Sequence, residues 1–207
     1  MIKDKSIELF LEELASKSAT PGGGSAAAIM GSMAAGLVSM VCNLTIGKKN
    51  HEHLEPEMRD VLVKSERLRH ELLSMVKDDV TVFDQVMAAY GLPKESEEEK
   101  SLRSETIQAA LKAATDVPLA CAKACREVIE LSRAVAERGN KNVVSDAGVA
   151  VTAAEAAFKS AALNVYVNAG AIRDEVFVIS RLEQLKKLSE GLDQEGDEIY
   201  DIVKSRL

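Results

Sequence analysis

Apolar positions recur at helical spacing along almost the whole chain, and nowhere do they alternate as a strand requires. Ile7, Phe10, Leu11, Leu14 and Ala15 form a first stripe, with Glu8, Glu12 and Glu13 off it. That predicts a short helix capped by Ser6 and ending before Pro21. The next stretch, Ser18 to Gly47, contains no Asp, Glu, Lys or Arg. It opens on a turn, Thr20-Pro21-Gly22-Gly23-Gly24-Ser25, and then reads as one long helix with Ser25 as its N-cap and Gly47-Lys48-Lys49 as its end. Small residues recur every four places in two neighbouring rows, Gly24, Ala28, Ser32, Gly36 and Ala27, Gly31, Ala35, Ser39. Such rows let other helix backbones approach closely, so this helix is expected at the centre of a bundle. Its length also suits a membrane span, but it relies on Ala, Gly and Ser rather than on residues that partition strongly into lipid.

A polar link, Lys48 to His53, follows. Pro56 then sits near the start of a third helix whose face is marked by Met58, Val61, Leu62, Ser65, Leu68, Leu72, Met75 and Val76, closed by Gly91 and Pro93. After a charged link, Lys94 to Lys100, a helical pattern runs from about Glu99 to Arg138, with a break or kink expected at Asp116-Val117-Pro118. Gly139 ends it. The polar turn Asn140 to Gly148 feeds a second Ala-rich helix to about Gly170, the natural partner for the central one. A last amphipathic pattern spans Asp174 to Lys204. The expected fold is all-α: one domain over residues 1–207, a helical bundle with long buried Ala/Gly-rich helices.

Composition sharpens this picture in three ways. Four Phe, three Tyr, no Trp and four Pro favour helices over sheets. A net charge of −7 argues against a nucleic-acid partner. Three cysteines, Cys42, Cys121 and Cys125, stand in apolar helical surroundings, and the first helix is too acidic for a signal peptide. They are expected to be reduced, buried thiols in a cytoplasmic protein.

Asp79 is the residue that breaks the pattern. It lies three places after Val76, seven after Leu72, four before Phe83 and seven before Val86, so it falls on the apolar face of the third helix. A carboxylate there loses water, which raises its pKa toward what general acid–base chemistry at neutral pH needs. The bland alternative is an ion pair with a Lys or Arg of another helix. The Gly22-Gly23-Gly24-Ser25 turn offers backbone N–H groups at a helix start, a site suited to an anion, or else only a tight turn. It lacks the spacing of a P-loop. Asn140, Asn142, Ser145 and Asp146, with Asn164 and Asn168 further on, suggest a polar pocket near the ends of two buried helices. His51 and His53 lack further ligands for zinc, and no metal is expected.

These residues resemble a known family. Thr20-Pro21-Gly22-Gly23-Gly24-Ser25-Ala26-Ala27 is similar to the opening of the cyclodeaminase/cyclohydrolase family. The resemblance continues through Gly47-Lys48-Lys49, Asp79 to Phe83, Leu92-Pro93 and Val117-Pro118-Leu119, then through Gly139 to Asp146, Asn164-Val165 and Asn168. It implies an all-α homodimer acting on a tetrahydrofolate derivative, with no prosthetic group and no membrane, and with Asp79 as proton donor and acceptor. It further implies that Pro21 to Ser25 and the segment Asn140, Asn142, Ser145, Asp146 line the folate groove, with Asn164 and Asn168 beside them. Lys48 and Lys49 are reasonable partners for the folate's glutamate carboxylates, or an ordinary basic helix end. The first expectation is 5-formimidoyltetrahydrofolate cyclodeaminase, which releases ammonia and leaves 5,10-methenyltetrahydrofolate. The second is methenyltetrahydrofolate cyclohydrolase, giving 10-formyltetrahydrofolate. A non-catalytic folate-binding or assembly protein is the third.

Overall fold

The computed structural model describes residues 5–49 and 51–207; Asn50, in the predicted polar link, lies outside them. Among the described residues there are seven α-helices and no strand. They are α1 (Ile7–Leu14), α2 (Gly23–Asn43), α3 (Glu55–Tyr90), α4 (Glu97–Arg138), α5 (Val144–Ala169), α6 (Glu175–Ser189) and α7 (Leu192–Arg206). Ser6 caps α1 as the pattern predicts, its hydroxyl accepting from the Leu9 N–H at 3.2 Å.

The uncharged α2 is long and apolar enough to cross a membrane, yet α3, α4 and α5 pack around it. Its small residues are what let them in. Ser32 donates to the Arg69 carbonyl at 3.0 Å, Ser39 and Ser65 share a hydrogen bond of 2.8 Å, and Gly24 lies against Asp79. Numbers rise along α2 as they fall along α3, so the two helices are antiparallel. At Gly31 a Cβ would stand 2.8 Å from Cys125 Sγ of α4 and 3.1 Å from Leu72 Cδ2 of α3. Both neighbours come that close only because the side chain is missing.

Four boundaries differ from the pattern. Helix α2 begins at Gly23, with Gly22 rather than Ser25 in the cap position, and it ends at Asn43 instead of Gly47. Helix α4 is not interrupted at Pro118 and runs unbroken from Glu97 to Arg138. Proline removes the N–H that would reach the carbonyl of Ala114 four residues back. That carbonyl instead accepts from the side-chain amide of Asn168 on α5, at 2.6 Å. A neighbouring helix has supplied the missing donor, so the turn holds. The last amphipathic pattern is divided into α6 and α7 at Gly191, which takes the left-handed conformation (φ +69°) open to glycine.

Helices α3 and α4 are longer than α2 and α5. Beyond Asp79 on α3 and ahead of Pro118 on α4 they pair as a hairpin with a small apolar cluster of Ala89, Ile107 and Leu111. Asp79 therefore stands at a step, where α2 begins and α3 carries on.

Candidate active site

Helical spacing alone places Asp79 on the inner face of α3, below Met75 and Val76, which are buried. There it meets the first turn of α2. Its Oδ2 accepts a hydrogen bond from the Ser25 hydroxyl at 2.8 Å. Its Oδ1 lies over the bare α-carbon of Gly24, at 2.1 Å from where a Cβ would be. What meets the glycine turn within the chain is its own Asp79 carboxyl. Ser25, expected as a cap for α2, is buried and spends its hydroxyl on Asp79.

Burial raises the Asp79 carboxyl above its ordinary value, and the hydroxyl and backbone N–H of Ser25 oppose that rise without cancelling it. The partly free N–H groups of the helix start act in the same sense as Ser25. Among the described residues no Lys, Arg or His contributes to the shift. An ion pair between helices, the bland alternative, is therefore not what Asp79 makes.

The adjoining hollow is small, about 10 Å³, and mostly apolar. Met75 of α3, Val117, Pro118 and Cys121 of α4, and Ala161 of α5 share it with Gly24, Ala28 and Asp79. The pattern marked Met75 as a core position, Val117 as part of a kink and Cys121 as a buried thiol, none of them as a site residue, and it did not single out Ala161. A cluster of apolar residues from three helices leaves no local signal. Pro118 was legible only as an expected kink. Pro21 is buried just before the same turn.

Asn164 and Asn168 reach this end of the bundle from α5. The amide of Asn164 donates to the Ser160 carbonyl at 2.9 Å, and it lies 3.7 Å from where a Cβ on Gly23 would be. Asn168 is committed to the Ala114 carbonyl. The other predicted residues sit elsewhere. Asn140 donates through its side-chain amide to the Leu44 carbonyl and through its backbone N–H to Thr45 Oγ1, at 2.8 and 2.9 Å. That ties it to the far end of α2. At 1.5 Å per residue, the 21 residues of α2 put that end roughly 30 Å from Gly24. Asn142 donates its backbone N–H to the Asn140 side chain, and Ser145 and Asp146 occupy the first turn of α5 at the same end. Lys48 and Lys49 are exposed just past α2. A hollow of about 460 Å³ between α5 and α7 lies there too, lined by Ser145, Val149, Tyr200 and Leu207 among others. Within one chain, then, the glycine turn and the Asn140–Asp146 segment do not line a common groove.

The fold and site define an all-helical bundle with a half-buried carboxylate, free of any ion pair among the described residues, lodged on a glycine-rich helix start. The chain matches the family described as Formiminotransferase-cyclodeaminase over residues 6–187, and it belongs to that family. It is 56% identical over 207 residues to the methenyltetrahydrofolate cyclohydrolase of Methylorubrum extorquens, covering all of both chains. To the formimidoyltransferase-cyclodeaminase of Rattus norvegicus it is 34% identical over 174 residues, 84% of this chain but 32% of that longer protein. In structure it is similar to the formiminotetrahydrofolate cyclodeaminase of Thermotoga maritima, with a TM-score of 0.84 and 33% identity, covering 100% of this chain and 98% of the other.

Proposed function

We propose that the protein is a 5,10-methenyltetrahydrofolate cyclohydrolase with Asp79 as its general acid and base. The observation that carries the reading is the state of Asp79: partly withdrawn from water, hydrogen-bonded by Ser25 and, among the described residues, without a cation. The 56% identity over the full length of a methenyltetrahydrofolate cyclohydrolase supports hydrolysis over deamination. In the reaction, water adds to the electrophilic methenyl carbon of the cationic substrate and gives up a proton to the Asp79 carboxylate. The tetrahedral carbinol then collapses. The carbon–N5 bond breaks, N5 takes the proton from Asp79, and the carbinol O–H proton passes to solvent, leaving the formyl group on N10. Each turnover consumes one water and releases one proton. A carboxyl with a raised pKa suits both transfers.

Cyclodeamination is the second reading, favoured by the likeness to the Thermotoga maritima cyclodeaminase. There N10 attacks the formimidoyl carbon and ammonia departs, again with one proton taken and one given. Purified protein should consume 5,10-methenyltetrahydrofolate with loss of methenyl absorbance. With 5-formimidoyltetrahydrofolate it should release ammonia far more slowly, or not at all. The reverse order of rates selects the cyclodeaminase, and no turnover of either folate rejects both.

A homodimer belongs to the proposal. Along α5, Val149, Leu163 and Val167 are exposed by 55, 65 and 74%, with Lys159 as the one exposed charge among them. Glu155 lies against Gly196 of α7, and the exposed Lys159 pairs with Asp193 at 2.8 Å, which offsets its charge. Such a face packs against its own copy without a conflict of charge. An antiparallel copy brings the Lys48–Asp146 end of one chain to the Asp79 end of the other, which one chain cannot do alone. Light scattering should return twice the 22.3 kDa of the chain. A monomer with full activity removes this part of the proposal.

A further inference from the structure

Ser25 is placed in a way that helix formation does not require. It is the third residue of α2, fully buried, in a first turn whose backbone N–H groups have no partner within the helix. A serine there could have bonded back to its own helix or faced solvent. Instead it reaches 54 residues along the chain to Asp79 Oδ2. The two carboxylate oxygens are thereby made unlike: Oδ2 is tied to a donor, while Oδ1 lies over Gly24 with no donor side chain. We propose that Ser25 is a positioning residue, holding Oδ2 so that the proton of catalysis is exchanged at Oδ1. This inference rests on the reading of Asp79 as the acid and base.

The surroundings make the effect of one hydroxyl readable. Helix α2 carries no charged residue. From α4 the one titratable group lining the hollow is the buried Cys121 thiol, and Asp116 is paired with Arg181 at 2.6 Å. From α5 the neighbours are Ala161 and Asn164, with Lys159 engaged by Asp193. On α3 itself Lys77 and Asp78 are exposed. Among the described residues no nearby cation competes with Ser25 for control of the carboxylate, whose ionised form the hydroxyl favours and burial disfavours.

The test is Ser25→Ala, read by the carbon-13 carboxyl resonance of Asp79 across pH and by the pH dependence of kcat/KM. Removing a donor to the ionised form should raise the titration midpoint by about half a pH unit or more, and the acidic limb of the rate profile should move with it. The kcat should fall about tenfold or more, with KM nearly unchanged. Should Ser25→Ala lose its helical circular dichroism, Ser25→Cys is near in size and a much weaker donor, and it should shift the midpoint the same way. A folded variant whose Asp79 midpoint stays at the wild-type value overturns the proposal. Asp79→Asn, run alongside, separates the two ideas. Full turnover in that variant ends the catalytic reading of Asp79, whereas the resonance of Asp79 in the serine variants judges Ser25 whatever the turnover.

Discussion

Asp79→Asn should lose at least about 100-fold in kcat while becoming more stable at neutral pH. The amide keeps the shape of the side chain and can still accept from Ser25, so the fold has little reason to change. What disappears is the capacity to take and return a proton. The stability follows from the direction of the pKa shift. Burial has pushed the Asp79 carboxyl of the folded protein above its ordinary value of 3.8. The folded state therefore holds this proton more tightly than the unfolded state, and stability falls as pH rises from the unfolded value through the folded one. Above that window the native protein carries the whole penalty, and below 3.8 it carries none. An asparagine is free of it at every pH. Thermal melts of the two proteins should thus show the variant higher at pH 8, with the gap closing as the pH is lowered past the folded pKa. A variant that melts lower at pH 8 would show Asp79 to be a stabilising charge, and the mechanism built on its desolvation would fail.

Gly24→Ala should be nearly as damaging to turnover as Asp79→Asn, with only a small effect on stability. An alanine Cβ at this position would stand 2.1 Å from Asp79 Oδ1 and 2.6 Å from its Cγ, distances that force the carboxyl to move. Overpacking of this kind costs about 1–3 kcal/mol. Within a helix, alanine regains about 1 kcal/mol over glycine, so the net change in stability is small. The position of the carboxyl has no such offset. A displacement of about 1 Å at a reacting group can cost about 100-fold in rate. Steady-state rates should therefore fall about 100-fold in a protein with nearly normal melting temperature and circular dichroism. Full activity in Gly24→Ala would mean that the carboxyl works from some position other than its seat on α2.

The two variants probe contacts that were unequally visible beforehand. That Asp79 faces inward follows from its spacing to Leu72, Val76 and Phe83, because an α-helix of known pitch leaves no choice of face. That α2 lies at the centre follows from a run without charge and with small residues in rows. What Asp79 meets there was not legible. Ser25 lies 54 residues away, and as a serine near a helix start it reads first as a cap. Gly22 caps instead, which leaves Ser25 free to turn inward. Pro118 carried a local rule strong enough to predict a broken helix, and Asn168 overrode it by supplying a donor from α5. The Asn140–Asp146 segment read as part of one pocket with the glycine turn. The length of α2 separates them, because α5 starts where α2 ends and runs back beside it.

The chain by itself determined which segments are helical, which of them carries no charge and must be enclosed, and that one carboxylate falls on a buried face. Those properties depend on residue type and on periodicity within a single helix. The tertiary structure alone decided that this carboxylate has a hydroxyl for a partner and, among the described residues, no cation, and that a proline is absorbed without a break. It also decided that the candidate residues divide between two ends of the bundle. Each depends on atoms from helices far apart in sequence, whose meeting is set by how the small-residue faces of α2 pack, and no local pattern records that meeting.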